Sequence, residues 1–220
     1  METKRRARSA TDKQQRRDQI LDTALAMWAD HSFASVSMAD VAARSGLAKG
    51  TLYLYFETKE ELFLAMLGQL LDAWFDELDA GLASAEGWDA ARASELICAT
   101  LGQHAALTRM LPIAASILEH NISLESARAY KERLLERTAH TGAQLERRLP
   151  FLGRGDGMWL LLQIYALVVG LGQMADPAPV VRQVLEAPEM APLRVEFGPS
   201  IRRSLTTLLQ GLTIHGQTRG

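Results

Sequence analysis

Residues 37–59 read SMADVAARSGLAKGTLYLYFETK, and this stretch decides the fold of the amino-terminal part of the chain. Ser37 followed by Asp40 is a capping pattern, in which the serine oxygen accepts from a free helix N–H while the carboxylate lies in the positive first turn. Gly46 supplies the left-handed backbone position that ends such a helix. A second short helix then leaves at a steep angle. The stretch therefore predicts a helix-turn-helix.

The second helix of this motif has two chemically different sides. Leu52 and Phe56 are four residues apart and share a face that can pack inward. The remaining positions carry basic, small and aromatic residues: Lys49, Gly50, Thr51, Tyr53 and Tyr55. A third helix is predicted to begin at Thr58, where Thr58 and Glu61 repeat the capping pattern. One side of the second helix is thus predicted to be core and the other a surface that enters a DNA groove.

The run from Leu52 to Phe56, followed by TKEEL at residues 58–62, closely resembles the DNA-binding domain of the TetR family of transcriptional regulators. The resemblance covers roughly Gln19 to Leu67, with an upstream helix whose apolar residues have helical spacing: Ile20, Leu21, Ala24, Leu25 and Trp28. It implies an all-α fold. Residues 1–57 would form the basic arm and a three-helix helix-turn-helix domain, and residues 58–220 a helical effector-binding and dimerisation domain.

The resemblance also implies roles for individual residues, with double-stranded DNA as the partner. Ser37 would hold a phosphate at the start of the first helix of the motif, as would Lys49 and the Gly50 amide at the start of the second. Thr51, Tyr53 and Tyr55 would face the major groove or its flanking phosphates. Lys59 would add a backbone contact. Ala48 departs from the family, in which a hydroxyl residue is common at this position, and ordinary half-buried packing is the alternative for the two tyrosines.

The first 17 residues are strongly basic, with only Glu2 and Asp12 opposing seven cations: Lys4, Arg5, Arg6, Arg8, Lys13, Arg16 and Arg17. Their low apolar content predicts an arm that is disordered in solution and orders along phosphates or in a minor groove, although a solvated tail remains an alternative. Residues 1–60 hold ten Lys/Arg against eight Asp/Glu, whereas the remainder holds fourteen against eighteen. The basic end therefore carries the motif, as DNA binding requires.

The rest of the composition indicates a protein without a cofactor, a metal or a membrane anchor. One cysteine, Cys98, excludes an internal disulfide and fits a reducing cytoplasm, where we expect it to fill space in a helix. No segment has the roughly 20 apolar residues of a membrane span. Residues 158–174 come closest and are interpreted as a buried helix. The basic first residues lack the apolar stretch of a signal peptide.

The second half of the sequence is predicted to be helical throughout, with helices over residues 58–80, 89–104, 123–149 and from a cap at Asp156 to about Met174. Pro112 predicts a break or kink. Residues 175–198 are predicted to be mostly loop, with one or two helical turns around Val181 to Leu185. Pro199 is predicted to open a last helix that ends near Gly211.

The last two helices are too apolar for the surface of a monomer. In the TetR family these helices form a four-helix dimer interface, and the resemblance assigns seven residues to it: Leu162, Tyr165, Val169, Ile201, Leu205, Leu208 and Leu212. Gly170 and Gly172 would let a second backbone approach closely, although an internal helix pair would use them equally well. A two-fold homodimer would present two reading helices to half-sites about one DNA turn apart, which predicts a palindromic operator.

Family members commonly bind a small molecule among the middle helices, so the resemblance also implies an effector. Apolar walls with a few polar groups could line its site at Leu101, His104, Leu107, Met110, Ile117, Trp159 and Gln163. Simple core packing is the alternative for each. The effector would bind the DNA-incompetent state more tightly and so release the operator.

Two other functions are weighed against this interpretation. A helical enzyme could use His104, His120 or His140 beside nearby carboxylates, but these residues have neither metal-ligand spacing nor a catalytic motif. An architectural DNA binder would lack an effector and discriminate weakly between sequences. The sequence favours a cytoplasmic DNA-binding regulator that is not an enzyme and has no membrane partner. The resemblance further implies a homodimeric repressor that responds to a small effector, which we expect to be largely apolar.

Overall fold

The computed structural model describes residues 2–84 and 87–217, with all side chains in those ranges except those of residues 2–10, 117 and 217. Within these ranges the chain is helical and has no strand, which confirms the all-α prediction. The helices are α1 (Glu2–Asp30), α2 (Met38–Arg44), α3 (Lys49–Tyr53), α4 (Lys59–Ala83), α5 (Ala90–Gln103), α6 (Ala105–Ile113), α7 (Leu124–Arg148), α8 (Asp156–Ala175), α9 (Pro179–Leu185) and α10 (Phe197–Gln217). A π-helical turn spans Ala114–Leu118 and a 3-10 helix spans Pro188–Leu193.

The described helices form two compact units. The first unit contains the residues up to Gln69 together with Ser116–Tyr130, and the second contains Leu70–Ala115 together with the residues from Lys131 onwards. Two long helices, α4 and α7, contribute residues to both units.

The core of the first unit is built around the apolar face of α1. Ile20 is fully buried and Trp28 nearly so. The Trp28 ring meets the edge of Phe63 of α4 at 5.6 Å between centroids, and Phe33 meets the same ring at 4.9 Å. Edge-to-face pairs of this kind stabilise a core beyond their buried area. They fasten α1 and the loop that follows it to the start of α4.

The turn between α2 and α3 has the predicted chemistry. Gly46 has a φ of +68°, a region that favours glycine. Its N–H donates to Ala43 O at 3.1 Å, and the Leu47 N–H donates to Ala42 O at 2.9 Å, which closes the last turn of α2. The Ser37 hydroxyl accepts from the Asp40 N–H at 3.2 Å, so the predicted cap of α2 is also present.

The basic amino-terminal segment differs from the sequence-based prediction. We expected an arm without regular structure, whereas α1 begins at Glu2 and runs without a break to Asp30. Straight-chain residues such as Lys, Arg and Gln favour a helix, and Gln14 donates to Asp18 one turn later at 2.8 Å. A helix nucleated on the core at Ile20 can therefore extend backwards through polar sequence.

The second unit is a helical bundle in which α10 packs on α5 and α8, and α6 packs on α8. Two glycines let its helices approach closely. A Cβ at Gly157 would lie 2.7 Å from the carbonyl carbon of Gly142 on α7, and one at Gly172 would lie 3.1 Å from Pro112 Cγ. Pro112 remains inside α6, and the π-helical turn follows directly, which is the predicted break.

Helix ends in the second unit were predicted less well than helix positions. Asp156 was predicted to cap α8, but Gly155 is the cap residue, and Asp156 instead accepts from the Gly153 N–H at 2.8 Å. Glu146 of α7 accepts from the N–H groups of Gly155 at 2.8 Å and Gly157 at 3.0 Å. A long-range carboxylate thus caps this helix. The last helix, α10, continues past Gly211.

A polar network joins α4 and α7 within the second unit. Arg137 donates to Asp76 at 2.6 Å and lies 3.6 Å from Asp79, and Arg133 pairs with Asp72. His140 Nε2 is 3.6 Å from Asp79 Oδ2. Carboxylates one turn apart on α4 therefore face cations one turn apart on α7, a match that fixes the register of the two helices.

One described helix, α8, is long and apolar enough to cross a bilayer by length and composition alone. A single helix of this kind is weak evidence for a span, because a packed helix of a soluble protein passes the same test. The interpretation of residues 158–174 as a buried helix holds for only part of the helix. Leu160 and Ile164 are buried, whereas Leu162 is 58% exposed and Met174 56%.

Candidate nucleic-acid interface

The surface predicted to contact DNA is built on α3. Leu52 and Phe56 are buried at 0% and 1% exposure and anchor this five-residue helix on the core. Lys49, Gly50 and Tyr53 are exposed on its other sides. A helix with one side fixed in the core presents the remaining side in a defined orientation, as groove recognition requires.

The beginning of α3 has no side-chain cap. Ala48 is its cap residue, and its side chain makes no capping hydrogen bond. A Cβ placed on Gly50 would meet nothing within 4 Å, and Gly50 has no positive φ. The fold of the chain therefore does not require glycine at this position. Glycine would let a phosphate come close to the backbone N–H groups at the start of α3.

The other residues assigned to DNA contact have mixed surroundings. Thr51 and Tyr55 are half-buried. Ser37 is exposed, but its hydroxyl donates to Asp40 Oδ2 at 2.5 Å as well as accepting from the Asp40 N–H. A phosphate at Ser37 would have to replace that carboxylate as the acceptor. The structure thus brings Lys49, Gly50 and Tyr53 to the open side of α3. The Ser37 hydroxyl, at the start of α2, already has hydrogen-bond partners within the chain.

Lys59 makes contacts within the chain that the sequence did not predict. Its Nζ donates to the carbonyl of Phe33 and lies 4.0 Å from the centroid of the Phe33 ring. Burial lowers the pKa of this amine, while the nearby Glu60 carboxylate opposes the change. The ammonium thereby links α4 to the loop before α2, and a role in holding that loop accounts for it without DNA.

Arg17 is a residue of this interface that sequence reasoning missed, because it was grouped with the basic arm. Its Nη1 donates to Tyr55 O at 3.1 Å, directly after α3, and its guanidinium lies 4.2 Å from the centroid of the Phe56 ring. Burial lowers the pKa of this group, against the attraction of Asp18 and Glu61. Arg17 is three residues before Ile20, the first core position of α1, so the two share a helix face. This spacing could have indicated that Arg17 packs towards the core. Arg17 ties the end of α3 to α1.

The start of α4 is held by a second set of hydrogen bonds within the first unit. Thr58 Oγ1 accepts from the Glu61 N–H at 3.1 Å and donates to Asn121 O at 2.8 Å. The Glu61 carboxylate accepts from the Ser123 N–H at 3.1 Å and from the Ser126 hydroxyl at 2.9 Å. Burial would raise the pKa of Glu61, but these hydrogen bonds outweigh it and the pKa is lowered. The predicted cap at Thr58 is present.

The residues assigned to an effector site differ in exposure. Leu101, Leu107 and Met110 are buried, as core residues are. His104 Nε2 lies 2.6 Å from Glu77 Oε2, Gln163 is half-buried, Trp159 is 43% exposed, and the Ile117 side chain lies outside the described residues. A separate cleft of about 350 Å³ is lined by other residues: Met174, Ala175, Pro177, Arg182, Leu185, Glu186, Arg194 and Val195.

The residues assigned to dimer contact divide into two groups. Leu162 and Tyr165 on α8 are exposed at 58% and 36%, whereas Ile201 and Leu205 on α10 are buried at 3% and 0%. The assignment of these last two to the dimer surface was wrong, because their side chains face the core of their own unit. The remaining three are half-buried: Val169, Leu208 and Leu212.

His104 and His140 face the carboxylates of Glu77 and Asp79, and the described residues contain no group of three His, Cys, Asp or Glu that could hold a metal. Cys98 is buried at 8% exposure, and that burial raises the pKa of its thiol. A raised pKa keeps the thiol protonated and unreactive.

Comparison with known proteins agrees with this geometry. Residues 20–66 match the bacterial regulatory proteins of the tetR family, and residues 68–216 match the Tetracyclin repressor-like C-terminal domain. The chain belongs to the TetR family. It is therefore a transcriptional regulator of a family whose members bind DNA and are not enzymes.

Individual relatives match this chain in sequence over part of their length, whereas solved structures match its fold over most of theirs. The chain is 35% identical over 60 residues to the transcriptional repressor KstR2 of Mycolicibacterium smegmatis, covering 27% of this chain and 29% of the relative. The first curated relatives are matched over 20% to 43% of their length.

Two solved structures share the fold at low sequence identity. The TetR family repressor AlkX from Dietzia sp. is 16% identical with a TM-score of 0.57, covering 92% of this chain and 95% of AlkX. FadR from Bacillus subtilis, in complex with stearoyl-CoA, is 16% identical with a TM-score of 0.52, covering 86% of this chain and 96% of FadR.

Proposed function

We propose that this TetR-family regulator is a cytoplasmic homodimeric repressor that binds a palindromic operator through α3 and is released from it by a small, largely apolar effector. The observation that carries the proposal is the construction of α3, with Leu52 and Phe56 fixed in the core and Lys49, Gly50 and Tyr53 left open. Lys49 and the amide of Gly50 would hold phosphates, while Tyr53, Thr51 and Tyr55 would lie in or beside the groove.

The dimer rests on an apolar stripe along α8. Exposed side chains recur along it at helical spacing: Met158, Trp159, Leu162 and Tyr165. Gly170 is exposed on the same helix, and a Cβ there would meet nothing within 4 Å, unlike one at Gly172, which would meet Pro112. A helical glycine costs about 1 kcal/mol relative to alanine, and at this exposed position it would let a second copy approach closely.

An apolar effector is supported by relatives rather than by the site. AlkX is described as implicated in the biodegradation of n-alkanes, FadR was crystallised with stearoyl-CoA, and a Bacillus subtilis relative is a fatty acid metabolism regulator. We propose that the effector of this chain is likewise a largely apolar molecule. The contacts to it would come from the middle helices, where Met110 and Leu107 are buried and the half-buried His104 supplies a polar group.

The first test is a selection of random DNA duplexes on the purified protein, with sequencing of the retained molecules. We expect an enriched palindrome whose half-sites lie about one helical turn apart, with binding that weakens as salt rises. Retention without a motif would favour an architectural DNA binder. Once an operator is known, fatty acids, acyl-CoA thioesters and alkanes of increasing chain length can be tested for its release, and release by none of them would contradict the apolar effector.

A further inference from the structure

Two neighbouring apolar side chains stand in solvent at the end of α3. Among the residues of the first unit that the structure describes, three large hydrophobic side chains are exposed, namely Tyr53 at 40%, Leu54 at 76% and Leu124 at 79%. Single exposed leucines are common and need no explanation. The pair at Tyr53 and Leu54 differs because it adjoins Gly50, the position on α3 that is open to close approach.

Leu54 lies on the side of α3 that faces away from the core. Leu52 and Phe56, two residues to either side, are buried at 0% and 1% exposure. Positions four apart share a helix face, so Leu54 follows one turn after Gly50. Gly50 and Leu54 therefore lie on the same exposed face. Gly50 has no side chain at the start of this face, and the isobutyl group of Leu54 lies at its end.

The fold gives no reason for leucine at this position. Leu54 has ordinary right-handed backbone angles, with φ −75° and ψ −14°, and its N–H donates to Thr51 O at 3.2 Å. Neither feature depends on the side chain, so alanine would make the same turn. Leucine also lacks a donor or acceptor and cannot bind a phosphate, as the hydroxyl of its neighbour Tyr53 can.

We propose that Leu54 determines sequence specificity by packing against the C5-methyl group of a thymine in the major groove. That methyl group is the apolar feature which the major groove offers at an A·T pair, and an apolar side chain recognises it. The inference rests on the proposed function, because it requires α3 to enter the groove of an operator. It adds Leu54 to the residues of this surface that would contact DNA, and assigns it to a single base feature.

The test removes single methyl groups from the DNA and the leucine from the protein. Each thymine of the selected operator is replaced by uracil, symmetrically in both half-sites, and affinity is measured for the wild-type protein, Leu54→Ala and Leu124→Ala. Leu124→Ala is the matched control, because it makes the same change at an equally exposed leucine on α7. Both variants alter surface side chains and should fold normally.

We expect one thymine position at which uracil weakens binding to the wild type and to Leu124→Ala by about fourfold per half-site, or about fifteenfold for both. At that position Leu54→Ala should bind thymine and uracil equally. Equal uracil effects in all three proteins, or no uracil effect in any, would overturn the role of Leu54 while leaving a specific operator in place. Failure to select any operator with the wild type would instead remove the proposed function, and this inference with it.

Discussion

At the scale of single residues, Gly50 and Arg17 act on opposite sides of the same short helix. Gly50 leaves the start of α3 open, and among the described residues no atom beyond its own helical turn lies within 4 Å of the position that a Cβ would take. Arg17 holds the end of α3 from inside through the Tyr55 carbonyl and the Phe56 ring. Gly50 therefore affects DNA binding, whereas Arg17 affects the position of α3 within the fold.

Replacing Gly50 should therefore separate binding from folding. For Gly50→Ala we expect the free energy of unfolding to stay the same or rise by up to about 1 kcal/mol, because alanine favours a helix. Operator affinity should fall, because the methyl group would lie between the backbone and a phosphate. Denaturant unfolding and operator titration measure the two effects. Gly102→Ala, at an exposed and equally open position of α5, should leave affinity unchanged. Full affinity in Gly50→Ala would refute close backbone approach.

Replacing Arg17 should change both properties. Arg17→Ala removes a hydrogen bond and a cation–π contact from a half-buried site, so we expect a loss of about 1–3 kcal/mol in the free energy of unfolding. Operator affinity should fall because the end of α3 is released. Arg16→Ala removes the same charge from an exposed neighbour and should leave stability unchanged. If the two variants unfolded alike, Arg17 would have no positioning role.

At the scale of elements, helix packing in the second unit depends on glycines at crossings rather than on helix propensity. Gly157 and Gly142 let α8 and α7 approach at backbone distance. Glu146 lies one turn further along α7 and caps α8 at the same place. Close approach and capping thus come from one end of α7.

Gly157→Ala should consequently destabilise the chain although alanine is the better helix former. Its Cβ would overlap the Gly142 carbonyl, which is backbone and cannot rotate away, so we expect a loss of about 1–3 kcal/mol. The urea midpoint measures this loss. Gly68→Ala, inside α4 with nothing within 4 Å of its Cβ, should raise the midpoint. A raised midpoint for Gly157→Ala would contradict the close crossing.

At the scale of the whole molecule, the proposed function requires two copies, and the apolar stripe of α8 is the surface proposed to join them. The core of the first unit forms within one chain, where Ile20, Leu52 and Phe56 are buried. Binding a palindrome with two copies of α3 requires a second copy of the chain. Dimerisation and DNA reading are therefore expected to respond to different substitutions.

Leu162→Glu should dissociate the dimer without unfolding the chain, because the residue is 58% exposed within its own subunit and a charge would be buried against the second copy. Sedimentation measures the change. Leu135→Glu is the matched control on α7, with an exposure of 60%. Ile201→Ala, at a buried position of α10, should instead lower the unfolding free energy by about 2–5 kcal/mol. A Leu162→Glu protein that remained dimeric would exclude this surface.

The sequence by itself determined the local features of this protein. The Ser37 cap, the Gly46 turn and the inward side of α3 were predictable because each depends on residues within one or two helical turns. The helical class and the approximate positions of α4, α5, α7, α8 and α10 followed from apolar periodicity for the same reason.

Tertiary structure decided the features that depend on residues far apart in the sequence. It alone identified the partners of Arg17 and Lys59, capped α8 with Glu146, and put Ile201 and Leu205 inside while leaving Leu162 and Tyr165 outside. Helical periodicity shows that a residue lies on an apolar face, but whether that face meets its own chain or remains open depends on how the helices pack. The contacts of each side chain are therefore fixed only when distant helices come together.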